Sequence, residues 1–336
     1  MVHQQLLLPR SGGLWCPAGG FHVDPGITVD RAIVTHAHGD HCRPGHRALL
    51  GSPETVRIAQ VRYGGNAFGR TEILDWHVPQ RIGDVTVRLV PAGHVLGSAQ
   101  VVIEHGGYRA VISGDYKRRA DPTCRPFEVV PCDLFVTEAT FGLPVFVHPP
   151  VEDEIARLLA SVARFPSRTH AIGAYALGKA QRMVAELRKA GWDRPIWLHG
   201  ALTGLCKAYE DMGIALGPLN NATTAQSADM RGEIVIAPPG ALNDRWARRL
   251  PDVLPVAASG WMRVRQRARQ RGAELALVIS DHADWPELTT TITETGAGDI
   301  WVTHGSEEAL VHWCRQQGIR AEALRLLGRS DAGDAA

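Results

Sequence analysis

The chain has 336 residues, of which 45% are hydrophobic and 21% charged, with a formal net charge of +1 at pH 7. That length can bury a sizeable core and divide into two domains. The near-zero charge excludes a protein held to polyanions by an overall cationic field, so any nucleic-acid contact must come from local patches. Six cysteines (Cys16, Cys42, Cys124, Cys132, Cys206 and Cys314) are widely spaced with no C-x-x-C pair. They read as reduced thiols of a cytoplasmic protein rather than a disulfide frame. The leucines at 6–8 lack the basic flank and cleavage site of a signal peptide, and no apolar run reaches the roughly 18 residues of a membrane span.

Residues 1–30 read as short β pieces broken by glycines, closing at Asp24 just before Pro25 and Gly26. Asp24 is there either as a turn cap or as an outer acceptor for a metal-bound histidine. A strand over 31–35 then runs into Thr35-His36-Ala37-His38-Gly39-Asp40-His41. Alternation puts His36 and His38 on one side, and the following turn can carry Asp40 and His41 to a second point. That is a layout for two adjacent metal ions, and a nitrogen and oxygen donor set suits zinc, manganese or iron rather than calcium. Helical spacing follows over 53–63. Val85–Val90 alternates as a half-buried strand and leads to Gly93-His94, Gln100–Glu104 is a further strand, and Ala110-Val111-Ile112-Ser113-Gly114-Asp115 again ends a strand on an acid. His94 and Asp115 therefore join the ligand candidates, by their order and strand-end positions.

Later segments repeat the pattern. Val136-Thr137-Glu138 puts an acid at a strand end; Ile279-Ser280-Asp281-His282 and Val302-Thr303-His304-Gly305 each put a histidine there. Between them, helices over 152–163, 178–189 and 205–212 alternate with strands at 170–175, 195–198 and 233–237, the signature of a parallel, doubly wound sheet. Gly178-Lys179 begins a helix after a strand, where Lys179 and the Gly178 amide could hold a backbone phosphate or simply start the helix. Basic residues cluster at Lys117-Arg118-Arg119, at Arg245/Arg248/Arg249 and at Arg263/Arg265/Arg267/Arg269/Arg271. Strand spacing would line the last five along one side as a polyanion groove, with Trp261 and Trp246 near enough to stack bases; a solvated face is the competing reading.

The ordered set H-x-H-x-D-H, then His, then Asp, resembles the metallo-β-lactamase fold. Glu138, His282 and His304, in that order and after an insertion, resemble the extra motifs of β-CASP nucleases. Gly13-Leu14-Trp15-Cys16-Pro17-Ala18-Gly19, Arg43-Pro44-Gly45-His46 and the compact length bring the chain closest to the bacterial ligase-associated DNA exonucleases. The resemblance implies an αββα sandwich over 1–145 and 277–330, an inserted doubly wound β-CASP domain over 146–276, and a flexible tail over 331–336. It implies two divalent ions, zinc or manganese. His36, His38 and His94 would hold one, Asp40, His41 and His304 the other, and Asp115 would bridge them. A metal-activated water would then attack the phosphate in line with the leaving oxygen. His282, oriented by Glu138, would be the general acid, although His282 and His304 could exchange roles. With Asp40 these form the catalytic group, Asp24 stands behind them, and Lys179, Arg263, Arg265 and Trp261 would contact nucleic acid. The implied activity is a DNA exonuclease in repair, acting on single strands or duplex ends, with a DNA ligase or helicase as a further partner. A β-CASP RNA nuclease is the alternative. A small-molecule metallohydrolase fits less well, since an inserted domain and arginine runs serve it no purpose, and a catalytically dead binding subunit would have broken ligands.

Overall fold

A computed structural model describes residues 6–10 and 12–324. The tail expected at 331–336 lies outside the described residues. The chain divides into two compact units, one running to Val147 and resuming at His282, the other spanning His148–Asp281. The second boundary falls later than 276.

The first unit opens with a six-stranded sheet of β1 (Leu8–Arg10), β2 (Gly13–Cys16), β3 (Phe21–Val23), β4 (Arg31–Ile33), β5 (Ala48–Gly51) and β6 (Arg70–Ile73), paired in chain order. The first three strands are antiparallel and β3 to β6 run parallel. Helix α1 (Pro53–Tyr63) follows β5, started by Ser52, whose Oγ accepts from the Thr55 amide. The second sheet takes β7 (Gln80–Ile82), β8 (Val85–Pro91), β9 (Ala99–His105), β10 (Tyr108–Ile112) and β11 (Leu134–Ala139).

Side chains on these strands split by period two, as a sheet covered on both faces requires. Val85, Val87 and Leu89 of β8, Val101 and Ile103 of β9 and Leu134 and Val136 of β11 pack with Leu14, Phe21, Val23, Ile33 and Leu50 of the first sheet. Val102, Val111 and Phe135 face the other way. There they meet Leu288 and Ile292 of α6 (Trp285–Thr295) and Leu310, Val311 and Cys314 of α7 (Glu307–Gln316).

The second unit is a six-stranded, wholly parallel sheet. Its strands are β12 (Thr169–Gly173), β13 (Ile196–Leu198), β14 (Leu219–Asn221), β15 (Ile234–Ala237), β16 (Val253–Ala258) and β17 (Leu275–Leu277), in the order β14-β13-β15-β12-β16-β17. From β12 the chain steps out to β13 and β14, returns to β15 and then passes β12 to β16 and β17, which makes the unit doubly wound. Its helices are α2 (Val151–Arg164), α3 (Lys179–Lys189), α4 (Gly200–Asp211) and α5 (Arg265–Gln270). Helix α4 begins at Gly200 rather than 205, because His199 Nδ1 accepts from the Ala201 amide and caps it. The arginine run corrects the expected strand: Gly260–Arg263 is a 3₁₀ turn and α5 follows directly. Arginine is a good helix former, and residues two apart on a helix point in different directions, so the five arginines do not line one side.

The chain then completes the first unit's second sheet with β18 (Asp299–Gly305) and β19 (Arg320–Ala323), giving the order β19-β18-β11-β10-β9-β8-β7. Because β8 and β10 are both antiparallel to β9, and β10, β11 and β18 are mutually parallel, β8, β10, β11 and β18 all end at one edge. The Ala99 amide at that edge donates to the Thr35 carbonyl, which brings the loop after β4 to the same place. No helix among the described residues is long and apolar enough to cross a membrane.

Candidate metal centre

The loop after β4 is locked by one carboxylate. Asp24 is buried; its Oδ1 accepts from the Thr35 amide (2.7 Å), and its Oδ2 accepts from Thr35 Oγ1 (2.7 Å) and from His41 Nδ1 (2.8 Å). Thr35 Oγ1, having donated to Asp24, can only accept from His36 Nδ1, 3.0 Å away. Both imidazoles therefore carry a proton on Nδ1 and turn Nε2 inward, the end through which they would bind a metal. Thr35 is the residue that reading the sequence overlooked; its only signal was its place immediately before His36.

Two groups of donors converge at the edge. His36 Nε2 and His94 Nε2 each lie 3.0 Å from His38 Nδ1, and Asp115 Oδ2 lies 3.5 Å from His36 Nε2 and 3.8 Å from His94 Nε2. Ligand-type atoms of these four residues lie within 4.8 Å of one another. The same Asp115 Oδ2 lies 3.3 Å from His41 Nε2, which is 3.6 Å from Asp40 Oδ2, and the His304 ring is centred 6.0 Å from that of His41. The other grouping of ligand-type atoms joins Asp115 to Glu138 and His282, again within 4.8 Å. Asp115 is thus common to every set.

The residues fit metal ions on an observation of their own. His41 Nε2, Asp115 Oδ1 and His304 Nδ1 are buried with no hydrogen-bond partner. Buried polar atoms left in this way are uncommon and need an explanation; a cation supplies one to all three. Charge points the same way. Burial pushes His36 well below the usual imidazole range, reinforced by His41, so it stands neutral and ready to ligate. Burial works against the charge of Asp115, but His41 outweighs it and holds the carboxyl well below its usual range.

Glu138 is near the end of β11, where its Oε1 accepts from the Tyr116 amide (2.7 Å) and its Oε2 from Thr140 Oγ1 (2.5 Å) and His282 Nδ1 (2.9 Å). Both of its oxygens are thus engaged, Oε2 in part by the His282 ring. The His282 ring lies 4.7 Å from that of His94 and 6.2 Å from that of Phe141. His304 reaches the edge through a bulge: Glu138 pairs with Thr303 and Ala139 with Gly305, which leaves His304 as the extra residue at φ 66°. Such a bulge re-aims a side chain. It needs Gly305, because a Cβ there would collide with the Ala139 carbonyl. Gly114 is required in the same way, since its Cβ would lie 2.6 Å from Cβ of Thr35.

The expected nucleic-acid residues fare differently. Lys179 is buried, donating to the Ile279 carbonyl (2.7 Å) and pairing with Asp281 (3.0 Å), and the Gly178 amide donates to Gln181 Oε1. Neither is presented to a phosphate, because α3 closes on its own unit. Lys117-Arg118-Arg119 is no basic patch either: Lys117 is buried against Asp121, Arg118 pairs with Glu294 and Arg119 with Asp284. Arg263 and Arg265 are exposed but on different elements, and Trp261 carries the Arg267 guanidinium 4.6 Å over its ring, so that face is already stacked. Trp246 packs edge-on to His199 at 4.6 Å and belongs to the core of the second unit.

Stacked sheets with a histidine and aspartate edge, interrupted by a parallel-sheet unit before the last two histidines, make a mixed α/β protein with clustered metal-binding groups, an architecture consistent with the metallo-β-lactamase/β-CASP type. Part of the chain is similar to proteins named endoribonucleases. It is 35% identical over 159 residues to Endoribonuclease YSH1 of Gibberella zeae, covering 46% of this chain and 19% of that protein. It is 30% identical over 327 residues to a probable DNA ligase of Opitutus terrae, covering 94% of this chain and 30% of that protein. The chain thus spans under a third of the length of these relatives. A solved protein of unknown function from Enterococcus faecalis shares the fold, with a TM-score of 0.60 at 15% identity over 89% of this chain and 80% of that one. No family model matches the chain.

Proposed function

We propose that the chain is a two-metal phosphodiester hydrolase acting on nucleic acid. The observation that carries this reading is Asp115 Oδ2, which faces His36, His94 and His41 at once (3.5, 3.8 and 3.3 Å), as a carboxylate between two ions would. His36, His38 and His94 would hold one ion and Asp40, His41 and His304 the other, with Asp115 within reach of both groups. When bound, a pair of divalent ions lowers the pKa of a water and neutralises phosphate charge. Asp24 keeps His41 and, through Thr35, His36 in the ligating tautomer. Glu138 accepts from His282 Nδ1 and holds the ring, whose Nε2 is then the end that can give a proton to the departing oxygen.

RNA is the substrate favoured by the relatives named endoribonucleases, and an RNA nuclease is therefore our first reading. DNA is the second, supported by the probable DNA ligase that aligns with 94% of the chain; on that reading the protein is a repair exonuclease working with a ligase. The test is to load the purified chain with zinc or manganese, count bound metal, and offer labelled single- and double-stranded RNA and DNA. Cleavage of RNA ahead of DNA supports the first reading and the reverse supports the second. A protein carrying two ions that cleaves neither removes both.

A further inference from the structure

Arg62 and Tyr63 close the last turn of α1 against the outside of the loop that carries His38, Asp40 and His41. The Tyr63 hydroxyl donates to the Cys42 carbonyl (2.7 Å), and Arg62 Nη1 donates to the Ala37 carbonyl. These two carbonyls bracket the loop from His38 to His41. The Arg62 guanidinium also lies 5.1 Å over the Tyr63 ring, a stacking geometry that fixes its plane. Arg62 is exposed, and among the described residues it has no carboxylate partner, unlike Arg118 or Arg119. Its Nη2 lies 3.7 Å from where a Cβ of Gly39 would sit. Gly39 has no side chain to cover that nitrogen, and it stands between His38 of one ligand group and Asp40 of the other.

The surface beside this arginine is concave. A cleft lined by Thr28, Gly39, Arg43 and Tyr63 borders the loop. It presents a second guanidinium, a threonine and bare backbone at Gly39, with no acidic residue among its lining. A planar guanidinium held by a carbonyl and a ring keeps its remaining N–H edge preorganised, which is the geometry suited to phosphate oxygens.

We propose that Arg62, with Arg43 in the adjoining cleft, forms a subsite for the phosphate next to the scissile one in a polynucleotide strand. It rests on the nucleic-acid reading above and adds to it where the strand runs. The subsite makes the chain prefer oligonucleotides over isolated phosphodiesters, since only a strand reaches both places.

The experiment measures binding of a fluorescent single-stranded RNA or DNA oligonucleotide to the metal-free chain by anisotropy across a salt series, with KM, kcat and bound metal for the loaded enzyme. Arg62→Ala is expected to weaken binding about tenfold and to reduce the salt slope by about one. It should raise KM for the oligonucleotide more than it lowers kcat. Arg62→Lys should recover part of the salt slope, since it keeps the charge and loses the fork. Arg43→Ala should act in the same direction, and the double variant should add to it. Unchanged affinity and salt slope in Arg62→Ala would overturn the subsite. So would a loss of bound metal with oligonucleotide affinity retained, because Arg62 would then only brace the loop. If the unaltered chain binds the oligonucleotide through Arg62 but never cleaves it, the subsite stands and the hydrolase reading falls.

Discussion

Two places in this molecule look alike in sequence, each a strand that ends in a small-residue turn with a charged residue beside it. At the edge of the first unit, ligand-type atoms are left over: His41 Nε2, Asp115 Oδ1 and His304 Nδ1 have no hydrogen-bond partner among the described residues. At the start of α3 in the second unit the key groups are used up: Lys179 by Asp281 and the Ile279 carbonyl, the Gly178 amide by Gln181. The contrast teaches how to tell a site from a joint. Where the protein satisfies its own polar groups, they hold the fold; where several ligand-type atoms converge without hydrogen bonds, they fit a group from outside.

Breaking the contrast at its centre should have the largest effect. Asp115→Ala removes the carboxylate common to both groups, so bound metal should fall from two ions to at most one and hydrolysis should become undetectable, as read by elemental analysis and a labelled-substrate assay. His282→Ala should lower kcat by about 10²–10⁴-fold with metal content retained; equal loss of metal would give His282 the ligand role assigned to His304. Asp24→Ala leaves every ligand in place but frees the tautomers of His41 and His36, and should weaken metal affinity by about 10–100-fold in a competition titration. At the joint, Lys179→Met takes one of two cations from Asp281, which keeps Arg182 at 3.1 Å, and thermal or denaturant unfolding should show a loss of about 1–3 kcal/mol. Oligonucleotide affinity should stay within about twofold in that variant. A tenfold loss of affinity with stability unchanged would restore Lys179 as a phosphate contact. The smallest effect belongs to Arg265→Ala, a single exposed charge on α5, whose salt slope should move by less than about one.

Much of the first unit could be read from the order of its residues. Alternation over Val85–Val90 survives as the split between Val85, Val87 and Leu89 on one face and Val90 on the other. His36, His38, His94 and Asp115 stood out because each follows a strand, and strands that share a direction end together. The second unit's alternation of strand and helix was equally legible, since parallel strands buried on both faces need long apolar runs and crossover helices. The arginines misled because a run of like charges has no period that separates strand from helix. Local capping decided the matter: Ser259 Oγ accepts from the Trp261 amide and turns the chain.

By itself, then, the sequence offered the candidate donors and their order, and the strand and helix pattern from which the layers are built. These follow from short-range rules of pleat, periodicity and strand ends, which act within a few residues. Only the tertiary structure decided which charges are spent. Lys117 meets Asp121 four residues away, but Arg118 finds Glu294, and Glu138 finds Tyr116 and His282. It also decided that a bulge in β18 turns His304 to the edge and that Asp24 reaches across to His41. Each of these depends on register between distant segments, a property of packing that local pattern does not contain.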